Sequence, residues 1–201
     1  MIAADHLVSF GSMARFRNCP RVHKVNDRTI VGCGGDYADF QTVWRTIEQK
    51  QIEQESNQDG HVLGPKALHN WLTRLQYNKR CKFDPYWVDW VVGGFQDGKP
   101  YLGYVDKLGT SYQDAAIGTG QLGVLAIPLL RDYTENFTVR LNKERARAIM
   151  VKALETLFYR DAYTFPKYHI GFVTQADGAQ VEGPFELQTN WSTAVLQEGY
   201  E

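Results

Sequence analysis

The stretch AIGTGQLGVLAIP, residues 116–128, carries Gly118, Gly120 and Gly123 in the spacing G-x-G-x-x-G, and its reading decides the fold. Glycines so spaced let a backbone approach a pyrophosphate at a helix N-terminus. That reading would make the chain a doubly wound parallel α/β protein, with a second parallel strand after the helix and an acidic residue about 20 positions on. Neither requirement is met. The helical pattern after Gly120 runs on to a second helical pattern, the residue about 20 positions beyond Gly123 is Lys143, and the next strand pattern begins only near Tyr168. The glycines read as a tight turn entering a helix, with no nucleotide.

Outward from that turn, the patterns cluster instead of alternating. Upstream, VDWVVGGF (88–95), the turn Asp97-Gly98 and PYLGYVD (100–106) read as a β-hairpin, with a third short strand near Thr110 to Asp114. TIVGCG (29–34) reads as a buried strand, followed from Asp36 by a helix with Phe40, Val43 and Ile47 on one face. A loop rich in Asn, Asp and Gly (56–64) precedes a second helix opened by Pro65, in which Leu68, Trp71, Leu72 and Leu75 fall at i, i+3, i+4 and i+7. Downstream come helices over 119–134 and 142–160. In the latter, Ile149, Ala153 and Leu157 run beside Met150, Leu154 and Phe158. Strands near 168–174 and 179–183, joined by Asp177-Gly178, close the series. Helix pairs set between groups of strands predict an α+β fold of packed antiparallel sheets in one domain over residues 1–201.

Composition narrows the function. The chain of 201 residues is 43% hydrophobic and 22% charged, with a formal net charge of −1. No basic excess is available for a dedicated nucleic-acid or anionic-membrane surface, so neither partner is expected. Cys19, Cys33 and Cys81 form an odd set without C-x-x-C and read as reduced thiols of an intracellular protein. The N-terminus meets Asp5 at once and lacks a signal-peptide pattern, and the apolar run Val124 to Leu130 is too short to span a bilayer. The expected location is cytosol or nucleus. His6, His23, His61, His69 and His169 never fall at metal-ligand spacing, and neither a G-x-S-x-G elbow nor a P-loop lysine occurs. No metal or cofactor is expected.

Several short stretches, taken together, go further. IAAD (2–5), GGDYADFQ (34–41), GYVDKLG (103–109), the GTG of 118–120 and FYRDAYT (158–164) resemble the β-type subunits of the 20S proteasome, in family order along the whole chain. GSMARFRN (11–18), WLTRLQYNKR (71–80) and EGPFELQTNW (182–191) narrow the resemblance to the branch at the seventh position of the β ring. The resemblance implies a four-layer αββα sandwich, two antiparallel sheets between helix layers, the N-terminal-nucleophile hydrolase fold. It also implies that the family's first strand precedes Met1, and that 184–201 is a C-terminal tail.

In active members of that family an N-terminal threonine attacks the peptide carbonyl and its free amine serves as the base. A lysine tunes it, an aspartate orients the lysine, and a glycine N–H stabilises the oxyanion. The resemblance carries the first aspartate onto Asp5, the oxyanion glycine onto Gly35, and a hydroxyl near the nucleophile onto Thr119. A later aspartate and hydroxyl fall on Asp161 and Thr164, and the lysine falls on Arg21. Arginine cannot give up a proton, and Lys24 lies three residues too late to substitute. Arg21 is expected to pair with Asp5 in a partly buried ion pair of a vestigial pocket. No nucleophile is expected within the chain, because Thr29, its first threonine, lies in a strand inside the chain and cannot present a free amine.

The resemblance therefore implies a non-catalytic β subunit of the 20S core particle, structural in ubiquitin-dependent degradation. Its expected partners are other β subunits in a heteroheptameric ring, the α ring beneath, and the opposite β ring. The tail would reach that ring through Trp191, Val195, Leu196 and Tyr200, while Pro184 interrupts the last strand and Phe185 and Leu187 cap the chain's own core. The alternatives are an active threonine-type endopeptidase made from a longer precursor, and a free-standing homo-oligomer.

Overall fold

The structure, a computed structural model, describes residues 1–120, 123–135 and 142–192. Short strands open the chain: β1 (Ile2–Asp5), β2 (Val8–Phe10), β3 (Met13–Phe16), β4 (Val22–Asn26) and β5 (Thr29–Gly35). Helices α1 (Tyr37–Asn57) and α2 (Pro65–Cys81) follow, then β6 (Val88–Gln96), β7 (Lys99–Val105) and β8 (Ser111–Gln113). The chain continues through α3 (Gly123–Glu135) and α4 (Lys143–Arg160) to β9 (Lys167–Thr174) and β10 (Gly178–Glu186).

Local chemistry explains the boundaries. The Asp36 carboxylate accepts from Ala38 N and Asp39 N, both at 2.9 Å, and starts α1. Pro65 at the first turn of α2 gives up no hydrogen bond there, and Asn142 Oδ1 accepts from Arg145 N at 2.9 Å to open α4. Between β6 and β7, Asp97 and Gly98 sit at φ 52° and 73°, the left-handed pair that a two-residue hairpin requires.

All strand pairs are antiparallel. One sheet runs in the order β4-β5-β6-β7-β8, a second in the order β1-β9-β10, and β2-β3 is a separate hairpin. Three apolar clusters stack the layers. Phe40, Val43 and Ile47 of α1 and Leu68 and Leu72 of α2 pack on Val31, Trp90 and Val92 of the five-stranded sheet. Ile2, Val22, Ile30, Val91 and Ala179 join the two sheets face to face. Tyr168, Ile170 and Leu187 meet Val151, Leu154 and Phe158 of α4. The result is the αββα sandwich the sequence implied, each fully buried aliphatic side chain contributing roughly 1.5–3 kcal/mol.

Three expectations change. The helix expected over 119–134 begins at Gly123, with Thr119 and Gly120 in the turn before it. The buried face of α2 is rotated from the expected stripe: Leu68 and Leu72 are buried, Trp71 and Leu75 pack partly, and Gln76 is fully buried, its amide donating to Val88 O at 2.7 Å. Pro184 does not end the last strand. The register shifts between Glu182 and Phe185, then pairing resumes as Phe185 with Tyr168 and Glu186 with Lys167. Residues 184–186 are therefore sheet, and any tail starts later. Among the described residues no helix is long and apolar enough to cross a membrane, and no group of three or more His, Cys, Asp or Glu could hold a metal ion.

Candidate functional site

Pairing of β1 with β9 sets Asp5 opposite Tyr168 at the edge of the inter-sheet core. Its carboxylate meets Arg21 Nη2 through Oδ1, with side chains 8% and 22% exposed respectively. Oδ2 accepts from Phe165 N at 3.0 Å and Leu7 N at 3.4 Å, and the Arg21 Nε–H donates to the Asp5 carbonyl at 3.1 Å. Arg21 is held in turn by its own carbonyl, which accepts from Cys33 N of β5 at 3.0 Å. The Asp5–Arg21 pair and the bonds around it thus tie together the end of β1, the segment before β4, the C-terminal half of β5 and the loop after α4.

Burial pulls the Arg21 guanidinium below its ordinary value, opposed by the neighbouring Cys33 and Tyr37. It remains charged, because no protein environment deprotonates arginine. Burial likewise pushes the Cys33 thiol up to about 12, so that sulfur is not a nucleophile.

Gly34 and Gly35 end β5 just beyond Cys33, and the 118–120 turn approaches the strand there. Gly35 sits at φ 103°, and a Cβ there would lie 2.2 Å from Trp87 O, so only glycine fits. A Cβ on Gly34 would lie 2.9 Å from Thr119 Oγ1, which sets the Thr119 hydroxyl over the end of the strand. The G-x-G-x-x-G spacing also has its reason: a Cβ on Gly118 would stand 2.7 Å from Gly123 Cα, so the chain folds back on itself there.

Asp161 and Thr164 stay within their own turn. The Asp161 carboxylate accepts from Tyr163 N at 3.0 Å, and its carbonyl accepts from Thr164 Oγ1 at 2.9 Å. That turn presents Phe165 N to Asp5. Beside Gly35 opens a cavity of about 470 Å³, lined also by Asp36, Asp39, Trp87, Asp89 and Lys107. Asp36 caps α1 there and Asp39 accepts from Trp87 N at 2.9 Å, while burial raises the Asp89 carboxyl.

Sequence reasoning missed a pair next to Asp5. His6 Nε2 and His169 Nδ1 share a hydrogen bond, and the rings stack at 4.3 Å. Burial depresses both imidazoles below their ordinary 6.5, and for His6 the facing His169 adds to this. The residues lie 163 positions apart, and only β1–β9 pairing brings them together, so no local spacing signals them. At the C-terminus, Trp191 is 52% exposed and rests edge-on against Phe158 and Tyr159 of α4, at 5.9 and 4.9 Å. Val195, Leu196 and Tyr200 lie outside the described residues.

Two antiparallel sheets between helix layers match the N-terminal-nucleophile hydrolase sandwich that the resemblance implies. The chain belongs to the proteasome subunit family, whose profile matches residues 1–173. It is similar to the proteasome subunit beta type-4 of Xenopus laevis, 49% identical over 201 residues, covering all of this chain and 82% of that protein. The proteasome subunit beta type-4 of Drosophila melanogaster is 43% identical over 204 residues, covering all of this chain and 74% of that one. A probable proteasome subunit beta type-7 of Schizosaccharomyces pombe is 39% identical over 203 residues, covering all of this chain and 77% of its relative.

Proposed function

We propose that this chain is a non-catalytic β subunit of the 20S proteasome core, acting in protein degradation by building the chamber in which other subunits cut. The observation that carries the reading is the Arg21–Asp5 pair. A threonine nucleophile is tuned by a neighbouring lysine that an aspartate orients. Here the cation on that aspartate is an arginine, bulkier, planar and unable to give up a proton, and it is held to Asp5 through both Nη2 and Nε while the Asp5 carboxylate also accepts from two backbone N–H groups. Such a cluster is a fastener between elements.

In this reading the chain occupies one place in a ring of different β subunits, on an α ring, in the cytoplasm and nucleus. Its C-terminal residues from Trp191 onward reach towards the opposite β ring. Trp191, where that segment starts, leans on Phe158 and Tyr159 of α4. Native mass spectrometry of the complex isolated through a tag on this chain tests the assignment. A large particle holding one or two copies of this chain among many different subunits is expected; a monomer or a homo-oligomer refutes it.

A further inference from the structure

The C-terminal end of α2 is closed by a paired turn: Phe83 N donates to Arg80 O at 3.0 Å, and Asp84 N to Lys79 O at 3.1 Å. This closure puts the residue after the cap in the left-handed region, the position where glycine is usual. Here it is Phe83, at φ 54°. A bulky side chain is a poor choice for that backbone. The fold gives it nothing in return, since Phe83 is 97% exposed, the most exposed large hydrophobic residue among those described. Glycine would close the helix with less strain and without bare apolar surface.

The charges that flank the ring in the chain are mostly basic. From Arg74 to Trp87 the sequence holds Arg74, Lys79, Arg80 and Lys82 against Asp84 alone. Asp84 is paired with Lys79. Two more aromatic rings nearby in the chain are exposed, Tyr77 and Trp87, each under a cation: Arg80 at 5.7 Å from the first and Lys107 at 4.4 Å from the second. Cations at a helix C-terminus favour the helix dipole and need no partner. The strained, exposed phenylalanine does.

We propose that Phe83 anchors a docking surface for another protein subunit, its ring entering an apolar pocket whose rim is acidic and faces Arg80 and Lys82. Single aromatic anchors seated in desolvated pockets carry much of the energy of protein interfaces, with charged rims setting orientation. The inference rests on the reading that this chain works inside a multi-subunit particle. It adds which part of the chain docks there and the chemistry of what receives it.

Hydroxyl-radical footprinting of the full chain, free and within the particle isolated through it, tests this at the level of one residue. Oxidation at Phe83 is expected to fall about tenfold or more on assembly. In cells expressing tagged variant and unmodified chain together, Phe83→Gly should keep or raise the melting temperature of the free chain yet enter particles on the order of tenfold less. Phe83→Tyr should compete as the unmodified chain does, and Lys82→Glu should compete poorly. A chain found in the particle with Phe83 oxidised as readily as when free overturns this inference and leaves the proposed function standing. A chain found in no particle overturns both.

Discussion

The core beneath α1 and α2 and the pocket at Asp5 share strand β5, yet they are held together by opposite kinds of force. In the core, Ile47, Leu68, Leu72, Trp90 and Val92 are all fully buried, and their attraction is non-directional. In the pocket, a carboxylate and a guanidinium are fixed by directional bonds from four separate segments. The core tolerates imperfect contacts by degrees. The pocket depends on every member, because a buried charge without its partner is costly.

That contrast breaks most sharply at Arg21. Arg21→Met should cost about 3–5 kcal/mol by stranding the Asp5 carboxylate, whereas the double variant Arg21→Met with Asp5→Asn should recover most of it. Chemical denaturation of the single and double variants measures this, and equal losses would show that the charges do not depend on one another. In the core, Leu72→Ala should cost roughly 2–5 kcal/mol through lost burial and the cavity left behind. Combined with Arg21→Met, its loss should add to within about 0.5 kcal/mol, because Leu72 packs in the apolar cluster of the helices and the five-stranded sheet while the Arg21 side chain is bonded to Asp5.

A smaller effect should separate the regions by pH. His6 and His169 have folded pKa values below their ordinary 6.5, so the unfolded chain binds protons first as pH falls through that value. Stability should be full above pH 6.5 and decline below it, by up to about 1.4 kcal/mol per pH unit for each proton taken up. His23, also depressed by burial, adds in the same direction. Denaturant midpoints measured between pH 7.5 and 5.5 check this, and His169→Asn should flatten the slope.

These differences also mark what was legible in the sequence. Apolar burial leaves a period, and so the faces of α1 and α2 and the β6–β7 hairpin could be read from Phe40, Val43, Ile47, Leu68, Leu72 and Asp97-Gly98. The period misled where a polar residue is buried by a specific bond, as with Gln76 on Val88 O. Strands β2 to β4 went unread as strands because each is short, and β4 is irregular between Lys24 and Asn26, which blurs its alternation; β1 was placed by family resemblance alone. Pro184 hid the end of β10 because the ladder steps over it and resumes. The pocket left no local trace at all. Asp5 and Arg21 lie 16 positions apart, Phe165 lies 160 from Asp5, and only family resemblance pointed to the aspartate and the arginine. Phe83 was missed for another reason: its significance is a backbone angle, and no composition or spacing reports one.

The claim that this pocket fastens elements and does not cut peptides is tested most directly by a covalent probe. The intact particle containing this chain should be treated with an epoxyketone or other threonine-directed reagent, and every subunit weighed by mass spectrometry. Adducts are expected on other β subunits and none on this chain. An adduct on this chain would contradict it.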